Sequence, residues 1–543
     1  MLPRGRILSE VLAQTVAAYP DNDAFIDNES RETWRSLSEK VDRTAAALWQ
    51  RGVRKGDHVA VMLGNGVLWL QTFFACARIG AVTVPINTRF KKEELAFCLK
   101  QADAKAIVLT GQFLGIDFAA LLSEVEPALA VGLPGEVLPK LTQVLMFETA
   151  SVPAGAIDFD QLLASMSQED INACSLQCGS VSPDDILLIQ YTSGTTSFPK
   201  GVMLSHDNML SDAYAVSLRM GITPEDRYFS IRPFFHVAGS TLSILVSLTT
   251  GCCLLTLPKF DVSLVLAMLQ REKCTLTSGN DTIFLMLMGH PDFDASNLHL
   301  RGGWAAAGPE VMQKIHDQMK VPNLCNAYGL SEASPNVVMS SWDDPLPLRT
   351  EGWALPHKGV QVRIMDTNTN EIMPAGQAGE IQVKGWSVMR GYYNMPEVTA
   401  RTFTEDGWLK TGDLGKMDQA GRLKMVGRLK DIFRVGGENV APTEVEGFIL
   451  MHEAVELAQV VGVPDERLGE VPAAFVILKQ GHSCTPEELI AWCKPRIANF
   501  KVPRYVQVVD SFDQIGMTGS SKVQKNKLRA HAIAVLGLAE PAK

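Results

Sequence analysis

The sequence predicts an α/β protein: a large N-terminal domain of doubly wound sheets and a small α+β C-terminal domain. Three observations carry this. A chain of 543 residues is too long for one hydrophobic core. Over residues 1–110 short apolar runs alternate with helical stretches, and strands joined by helical crossovers make a parallel sheet covered on both faces. Beyond about residue 431 the pattern becomes a helix, two strands and a helix, which suits a separate small unit.

Composition narrows the function classes. The chain is 46% hydrophobic and 20% charged, ordinary for a globular protein in water. Its net charge of −10, with no basic block, argues against nucleic acid as the partner. Ten cysteines are scattered without a CxxC pair, which reads as reduced thiols, no structural zinc and a cytoplasmic location. The N-terminus MLPRGRILSEVLAQ has no long apolar core, so no signal peptide is expected. Residues 237–258 carry no charge and are long enough to span a bilayer. Their Ser, Thr and Gly content and the terminal Pro258 instead predict a buried helix followed by a buried strand.

Taken in order, Leu37, Val41, Ala45 and Leu48 share one helical face. A strand follows over 58–63, a helix over 68–81, a strand over 82–85, a helix over 91–101 and a strand over 106–110. Residues 111–180 read as peripheral helices and a connection. Ile186-Leu187-Leu188-Ile189 and Val202-Met203-Leu204 are two short strands. A helix then starts at Ser205 or His206 and stops near Gly221. Past 431, helices are expected over 445–451 and 486–497, with strands over 458–463 and 474–478.

The loop between the two short strands carries the chemistry. It reads Tyr191-Thr192-Ser193-Gly194-Thr195-Thr196-Ser197-Phe198-Pro199-Lys200-Gly201. Backbone N–H groups and short hydroxyls there can donate to polyphosphate oxygens, and Lys200 adds a positive charge. It is not a Walker A loop, because Pro199 and Gly201 flank the lysine where that pattern wants Gly and Ser/Thr. Further blocks follow: Phe234-Phe235-His236-Val237-Ala238-Gly239, Ala306-Ala307-Gly308-Pro309, Tyr328-Gly329-Leu330-Ser331-Glu332, Trp408 to Asp413, and Gly427-Arg428-Leu429-Lys430-Asp431. Alone, these read as core aromatics with a satisfied histidine, a helix N-terminus, a turn and a charged loop. Glu332 suits Mg²⁺ on a nucleotide, which takes one or two carboxylates plus phosphate oxygens. Asp413 suits a bidentate acceptor role.

Together, in this order, the blocks resemble the adenylate-forming superfamily of acyl-CoA synthetases, beetle luciferases and peptide-synthetase adenylation domains. The resemblance runs from about residue 8 to residue 530 and points to the acyl-CoA synthetase branch. It implies a distorted barrel beside the doubly wound sheets, an N-terminal adenylation domain over 1–427, a hinge at 428–430 and a mobile cap over 431–543. It implies ATP, Mg²⁺ and coenzyme A as co-substrates and cofactor, and a small-molecule carboxylic acid as the other substrate. A homodimer is common among such enzymes.

The residue roles follow from the same resemblance. Thr192, Ser193, Gly194, Thr195, Thr196 and Lys200 surround the phosphates. Ala306, Ala307 and Gly308 border the adenine, and Tyr328, Gly329 and Ser331 complete its site, with Ser331 in place of the family's Thr. Glu332 holds Mg²⁺, Asp413 takes the ribose hydroxyls, Arg428 contacts the nucleotide and Lys430 is the hinge. His236 gates the carboxylate pocket. Val237, Gly239, Ser240, Trp304 and Ser334 line the acyl site, where small side chains leave room for substrate. Gly436, Gly437 and Lys501 face coenzyme A. Lys522, preceded by Ser521 where the family has Gly, aligns as the catalytic lysine, with Lys525 as its competitor.

No Lys or Arg is placed in the acyl stretch to pair a second carboxylate, which favours a medium-chain, alicyclic or aromatic monocarboxylic acid. Two alternatives use the same scaffold: a free-standing enzyme loading a carrier protein, and a luciferase-like oxygenase. The tail after Lys522 is short for a carrier domain, and no Gly-Gly-x-Ser attachment motif occurs.

Overall fold

The computed structural model describes residues 3–149, 151–177, 179–192, 199–367, 369–517 and 523–538. Two sheets dominate the N-terminal part. The first has seven strands in the spatial order 200–205, 186–192, 82–85, 58–62, 106–110, 143–147 and 157–158. All its pairings are parallel except the hairpin formed by Ile186–Thr192 and Lys200–Ser205. The strand Gln143–Phe147 is an addition to expectation, since residues 111–180 read as peripheral. Its apolar run Val144-Leu145-Met146-Phe147 is fully buried against Ala106–Thr110.

The second sheet has eight strands, in the order 336–339, 323–329, 302–306, 276–280, 227–230, 253–255, 23–26 and 31–33. Its centre is parallel and its two margins are antiparallel. The carboxyl ends of Arg227–Ser230, Leu276–Asn280, Gly302–Ala306 and Asn323–Gly329 therefore point the same way. Ligands of open α/β sheets bind outside such ends. A third, antiparallel sheet of four strands, 360–365, 378–385, 409–417 and 423–428, stands where the barrel was expected. A single bridge from Ala354 to Leu423 extends it.

Local chemistry explains the helices that carry these sheets. Trp34–Gln50 begins at a capping box in which the Thr33 hydroxyl accepts from the Ser36 N–H. Leu37, Val41, Ala45 and Leu48 are buried on its inner face; each large aliphatic side chain there contributes about 1.5–3 kcal/mol. The helix His206–Met220 starts at the Ser205–Asn208 capping box and ends at Gly221, whose φ of 59° is left-handed. The uncharged stretch from Val237 breaks into the helical turn Val237–Gly239, a π-helical segment Ser240–Leu245, the helix Val246–Thr250 and the strand Cys253–Leu255. Among the described residues no helix is long and apolar enough to cross a membrane.

The C-terminal part has a core of its own, built from Phe433, Val445, Ile449, Val460, Phe475, Leu489, Leu528 and their neighbours. The helix Pro442–Leu450 and the long hairpin of Val455–Asp465 with Gly469–Leu478 form its centre. The second predicted helix is shorter than expected, ending at Cys493. Gly436 and Gly437 join Phe433–Val435 to Glu438–Val440 in a two-residue hairpin turn. Their φ values of 58° and 95° are what such a turn requires, so the turn alone accounts for the glycine pair.

Candidate active site

Two clusters sit at the ligand edge of the second sheet, and both grow from one segment. The strand Asn323–Gly329 ends at Tyr328-Gly329, and a short 3₁₀ turn, Ser331–Ala333, follows. The Tyr328 hydroxyl donates to Asp413 Oδ2 at 2.9 Å. Asp413 is buried on the strand Leu409–Met417, and its Oδ1 lies 3.4 Å from Arg428 Nε on the adjacent strand. Burial and the Asp413 carboxylate both push the Tyr328 phenol above its ordinary range, so it stays a donor. Opposite this triad, Ala306 is exposed and Ala307 and Gly308 are half-buried, leaving backbone open to a flat ring. Asn326 Nδ2 fixes the Ala307 carbonyl at 3.0 Å, and Asp281 Oδ1 accepts from the Gly308 N–H at 2.9 Å. Burial pushes the Asp281 carboxyl up to about 6. Gly308 also precedes the helix Pro309–Asp317 with Pro309 in its first turn, so the helix-start reading holds there.

The other cluster gathers charge. The Glu332 carboxylate accepts from the Tyr392 hydroxyl at 2.8 Å, and the Lys200 ammonium stands 4.9 Å from the centre of the Tyr392 ring. Tyr392 gets there because its segment pairs with the strand after the phosphate loop. Met203 N–H donates to Gly391 O at 3.0 Å and Tyr393 N–H to Gly201 O at 2.8 Å. Asn208 holds the same segment from the helix side through Trp386 O and Val388 O. Burial, then Glu332, push the Tyr392 phenol up. Sequence reasoning missed Tyr392; the aromatic pair Tyr392-Tyr393 after Gly391 was the available signal. Among the described residues no group of three His, Cys, Asp or Glu could hold a metal. One carboxylate, Glu332, near Lys200 and Tyr392 fits a Mg²⁺ ion that arrives on a nucleotide and takes its remaining ligands from phosphate and water.

Thr192 ends the strand Ile186–Thr192 and pairs in register with Lys200. Ser193, Gly194, Thr195, Thr196 and Ser197 lie outside the described residues, as do Ser521 and Lys522. Lys525, the competing lysine, is engaged: its ammonium pairs with Glu446 and donates to Val460 O at 3.0 Å. Lys501 pairs with Glu444. Lys430 is exposed in the 3₁₀ turn Leu429–Asp431.

The acyl side differs from expectation in three places. Gly239 is small because a Cβ there would overlap the Pro233 carbonyl, so backbone packing and not substrate volume needs it. Ser334 is fully buried and donates to Ser387 O at 2.5 Å, so its hydroxyl is occupied. Most consequentially, an arginine does stand there: Arg232 is buried with its guanidinium carbon 5.3 Å from the Trp304 ring centre. Sequence reading had no period to assign it; the signal was one charge inside Tyr228-Phe229-Ser230-Ile231-Arg232-Pro233-Phe234.

The other residues expected at the acyl site lie close to the same sheet edge or in its interior. Val237, Ser240 and Trp304 are buried. His236 is half-buried and its Nδ1 accepts from the Ala238 N–H at 3.1 Å, capping the turn Val237–Gly239. Buried Gln190 ties this segment to the phosphate hairpin by donating to Phe235 O at 3.1 Å. Gly329, like Gly239, answers to packing: a Cβ would overlap the Pro335 carbonyl.

A doubly wound large domain, a tyrosine–aspartate–arginine cluster at an open backbone edge, and Tyr392 joining Lys200 to Glu332 suit an adenylate-forming enzyme. Comparison with known proteins agrees. The AMP-binding enzyme family matches residues 12–393, and the AMP-binding enzyme C-terminal domain matches 444–522. The chain belongs to this family. It is 38% identical over 545 residues to YngI, an inferred acyl-CoA synthetase of Bacillus subtilis (strain 168), covering 98% of each chain. It is 36% identical over 523 residues to a methyl-dioxo-octahydroindenyl-propanoyl:CoA ligase of Rhodococcus jostii (strain RHA1), covering 95% of this chain and 97% of that one. ATP-bound MatB from Rhodopseudomonas palustris superposes with a TM-score of 0.82 at 27% identity, covering 97% of this chain and 99% of that one. Within the family this chain is a carboxylic acid–CoA ligase of the AMP-forming kind, using ATP and coenzyme A.

Proposed function

We propose that the two clusters hold the two ends of one ATP molecule. The observation that carries this is the short span from Tyr328 to Glu332: the first reaches Asp413 and the second reaches Tyr392 beside Lys200. Asp413, accepting from Tyr328 and flanked by Arg428, keeps lone pairs for the ribose hydroxyls. Ala306 to Gly308 border the adenine. Thr192, Lys200 and the loop between them face the phosphates, and Glu332 would hold Mg²⁺. Held there by Glu332, such an ion would supply charge neutralisation to the pyrophosphate as it leaves.

A carboxylate oxygen of the substrate attacks the α-phosphorus, the bond to the bridging oxygen breaks, and pyrophosphate leaves with that electron pair. Lys522 stabilises the charge spread over the attacking carboxylate and the α-phosphate. Lys525 is the weaker candidate, because Glu446 already pairs it. The coenzyme A thiolate then attacks the acyl carbonyl and AMP departs. His236, held by the Ala238 N–H, gates the carboxylate end.

We infer that residues 1–427 and 431–543 are the bodies that alternate between these steps, with 428–430 as the hinge. The exposure of Lys430 and the separate C-terminal core support that reading. Gly436, Gly437 and Lys501 then face coenzyme A in the second step. The substrate is a medium-chain, alicyclic or aromatic acid; a relative named for a bicyclic propanoyl group supports a ring-bearing acid. Cys76, Cys98, Cys252, Cys253, Cys274, Cys325, Cys484 and Cys493 are free thiols, in keeping with a reducing cytoplasm. A homodimer is the expected assembly, readable by light scattering. Lys430→Pro tests the scheme: pyrophosphate release from ATP and acid continues, while thioester formation falls roughly 100-fold or more because the hinge cannot turn. Undiminished coenzyme A transfer in that variant would remove Lys430 as the hinge.

A further inference from the structure

The acyl site holds a buried cation that the protein itself leaves without a partner. Arg232 follows the strand Arg227–Ser230 at its carboxyl end, on the ligand edge of the sheet, and stands four residues before His236. It is only 8% exposed. Its Nε is buried with no hydrogen-bond partner, and no ion pair to it is found among the described residues. A guanidinium carries five donors in a rigid fork, and a buried charge without a counterpart is costly. Burial pulls Arg232 down to about 10, which still leaves it protonated at neutral pH.

The surroundings hold this side chain in place without satisfying it. Asn65 clamps its backbone: Nδ2 donates to Arg232 O at 3.0 Å, and Oδ1 accepts from the Phe234 N–H at 2.8 Å. The guanidinium lies over Trp304, whose indole N–H donates to the Tyr228 hydroxyl at 2.9 Å, and that hydroxyl donates to Leu242 O at 3.1 Å. Trp304 and Tyr228 therefore form a fixed platform, and neither hydrogen-bonds the arginine. Asp281 lies within electrostatic reach, but it is no ion-pair partner, and its Oδ1 is taken by the Gly308 N–H. Ser230, Ser243 and Ser278 bond to one another.

We propose that Arg232 sets the acyl specificity of this ligase by receiving an oxygen acceptor, a second carboxylate or a ketone, carried by the substrate away from the carboxylate that is activated. This rests on the ligase reading above and revises the expectation of a wholly apolar acyl site. A bound oxygen would complete the donor set that the fold leaves open at Arg232. A plain hydrocarbon chain would leave those donors unpaired, and a site built to hydrogen-bond its substrate rejects the analogue that lacks the group.

The test compares acids of equal length that end in methyl, ketone or carboxylate, reading kcat/KM for each and the KM for ATP. The wild type prefers an oxygen-bearing acid over its methyl analogue by roughly 10-fold or more. Arg232→Met collapses that ratio by about the same factor without raising the ATP KM. Arg232→Gln, which can donate but carries no charge, separates the two sources: a ketone preference survives in it and a carboxylate preference does not. A wild-type enzyme with no preference for oxygen-bearing acids overturns the proposal while leaving the ligase reading intact, because pyrophosphate release from any acid still reports adenylation. A rise in ATP KM with equal losses on all acids also overturns it and assigns Arg232 to the nucleotide. If Arg232→Met does not fold, the wild-type ratio and the Arg232→Gln profile decide.

Discussion

At the nucleotide half of the cleft, polar side chains reach partners on the protein: Tyr328 on Asp413, Asp413 beside Arg428, and Tyr392 on Glu332. At the proposed acyl half, the guanidinium of Arg232 reaches none among the described residues. On the proposed reading, the Tyr328–Asp413–Arg428 cluster is in place before ATP arrives, so its electrostatics need little rearrangement when charge develops. The acyl half leaves a donor set incomplete, and a substrate must supply what is missing. The first arrangement suits a feature common to every turnover, whatever the acid. The second suits discrimination among acids.

Three substitutions probe that division, in falling order of effect. Lys522→Ala slows adenylation from ATP roughly 10²–10³-fold for every acid, while thioester formation from supplied acyl-AMP changes only a few-fold. Equal loss in both half-reactions would show that Lys522 does not serve the first step alone. Asp413→Ala raises the ATP KM roughly 10–100-fold, by the same factor for oxygen-bearing and plain acids. An acid-dependent change would break the separation of the halves. Tyr392→Phe removes one hydrogen bond to Glu332 and lowers the adenylation rate about 3–10-fold, with a higher Mg²⁺ concentration needed for half-maximal rate. An unmoved Mg²⁺ titration would detach Tyr392 from the phosphate end.

Much of this was legible in the sequence, because the nucleotide half is written in contiguous blocks. Tyr328 and Glu332 are near neighbours, and their spacing survives as a strand end and a short turn. The parallel strands over 58–62, 82–85 and 106–110 were legible as apolar runs between helices. What stayed hidden depends on tertiary pairing. Tyr392 matters only because Gly391 and Tyr393 pair with Met203 and Gly201, nearly two hundred residues earlier. The strand Gln143–Phe147 was hidden by the Pro- and Gly-containing loops on either side of it. Glycine was legible as a requirement but not as a cause. Gly239 read as room for a ligand, whereas it meets a backbone carbonyl of its own chain, as does Gly329. Arg232 was unreadable for a related reason: sequence shows a charge in an apolar run, but only the packing of Trp304 and the Asn65 clamp shows that the charge has no partner.

The central claim is that one cleft makes an acyl adenylate and then passes the acyl group to sulfur. It is tested most directly by mixing the enzyme with ATP, Mg²⁺ and an accepted acid in the absence of coenzyme A. The account predicts about one pyrophosphate released per active site, an acyl adenylate retained on the protein, and AMP with thioester only after coenzyme A is added. Release of ADP or inorganic phosphate, or thioester formation with no adenylate before it, would contradict it.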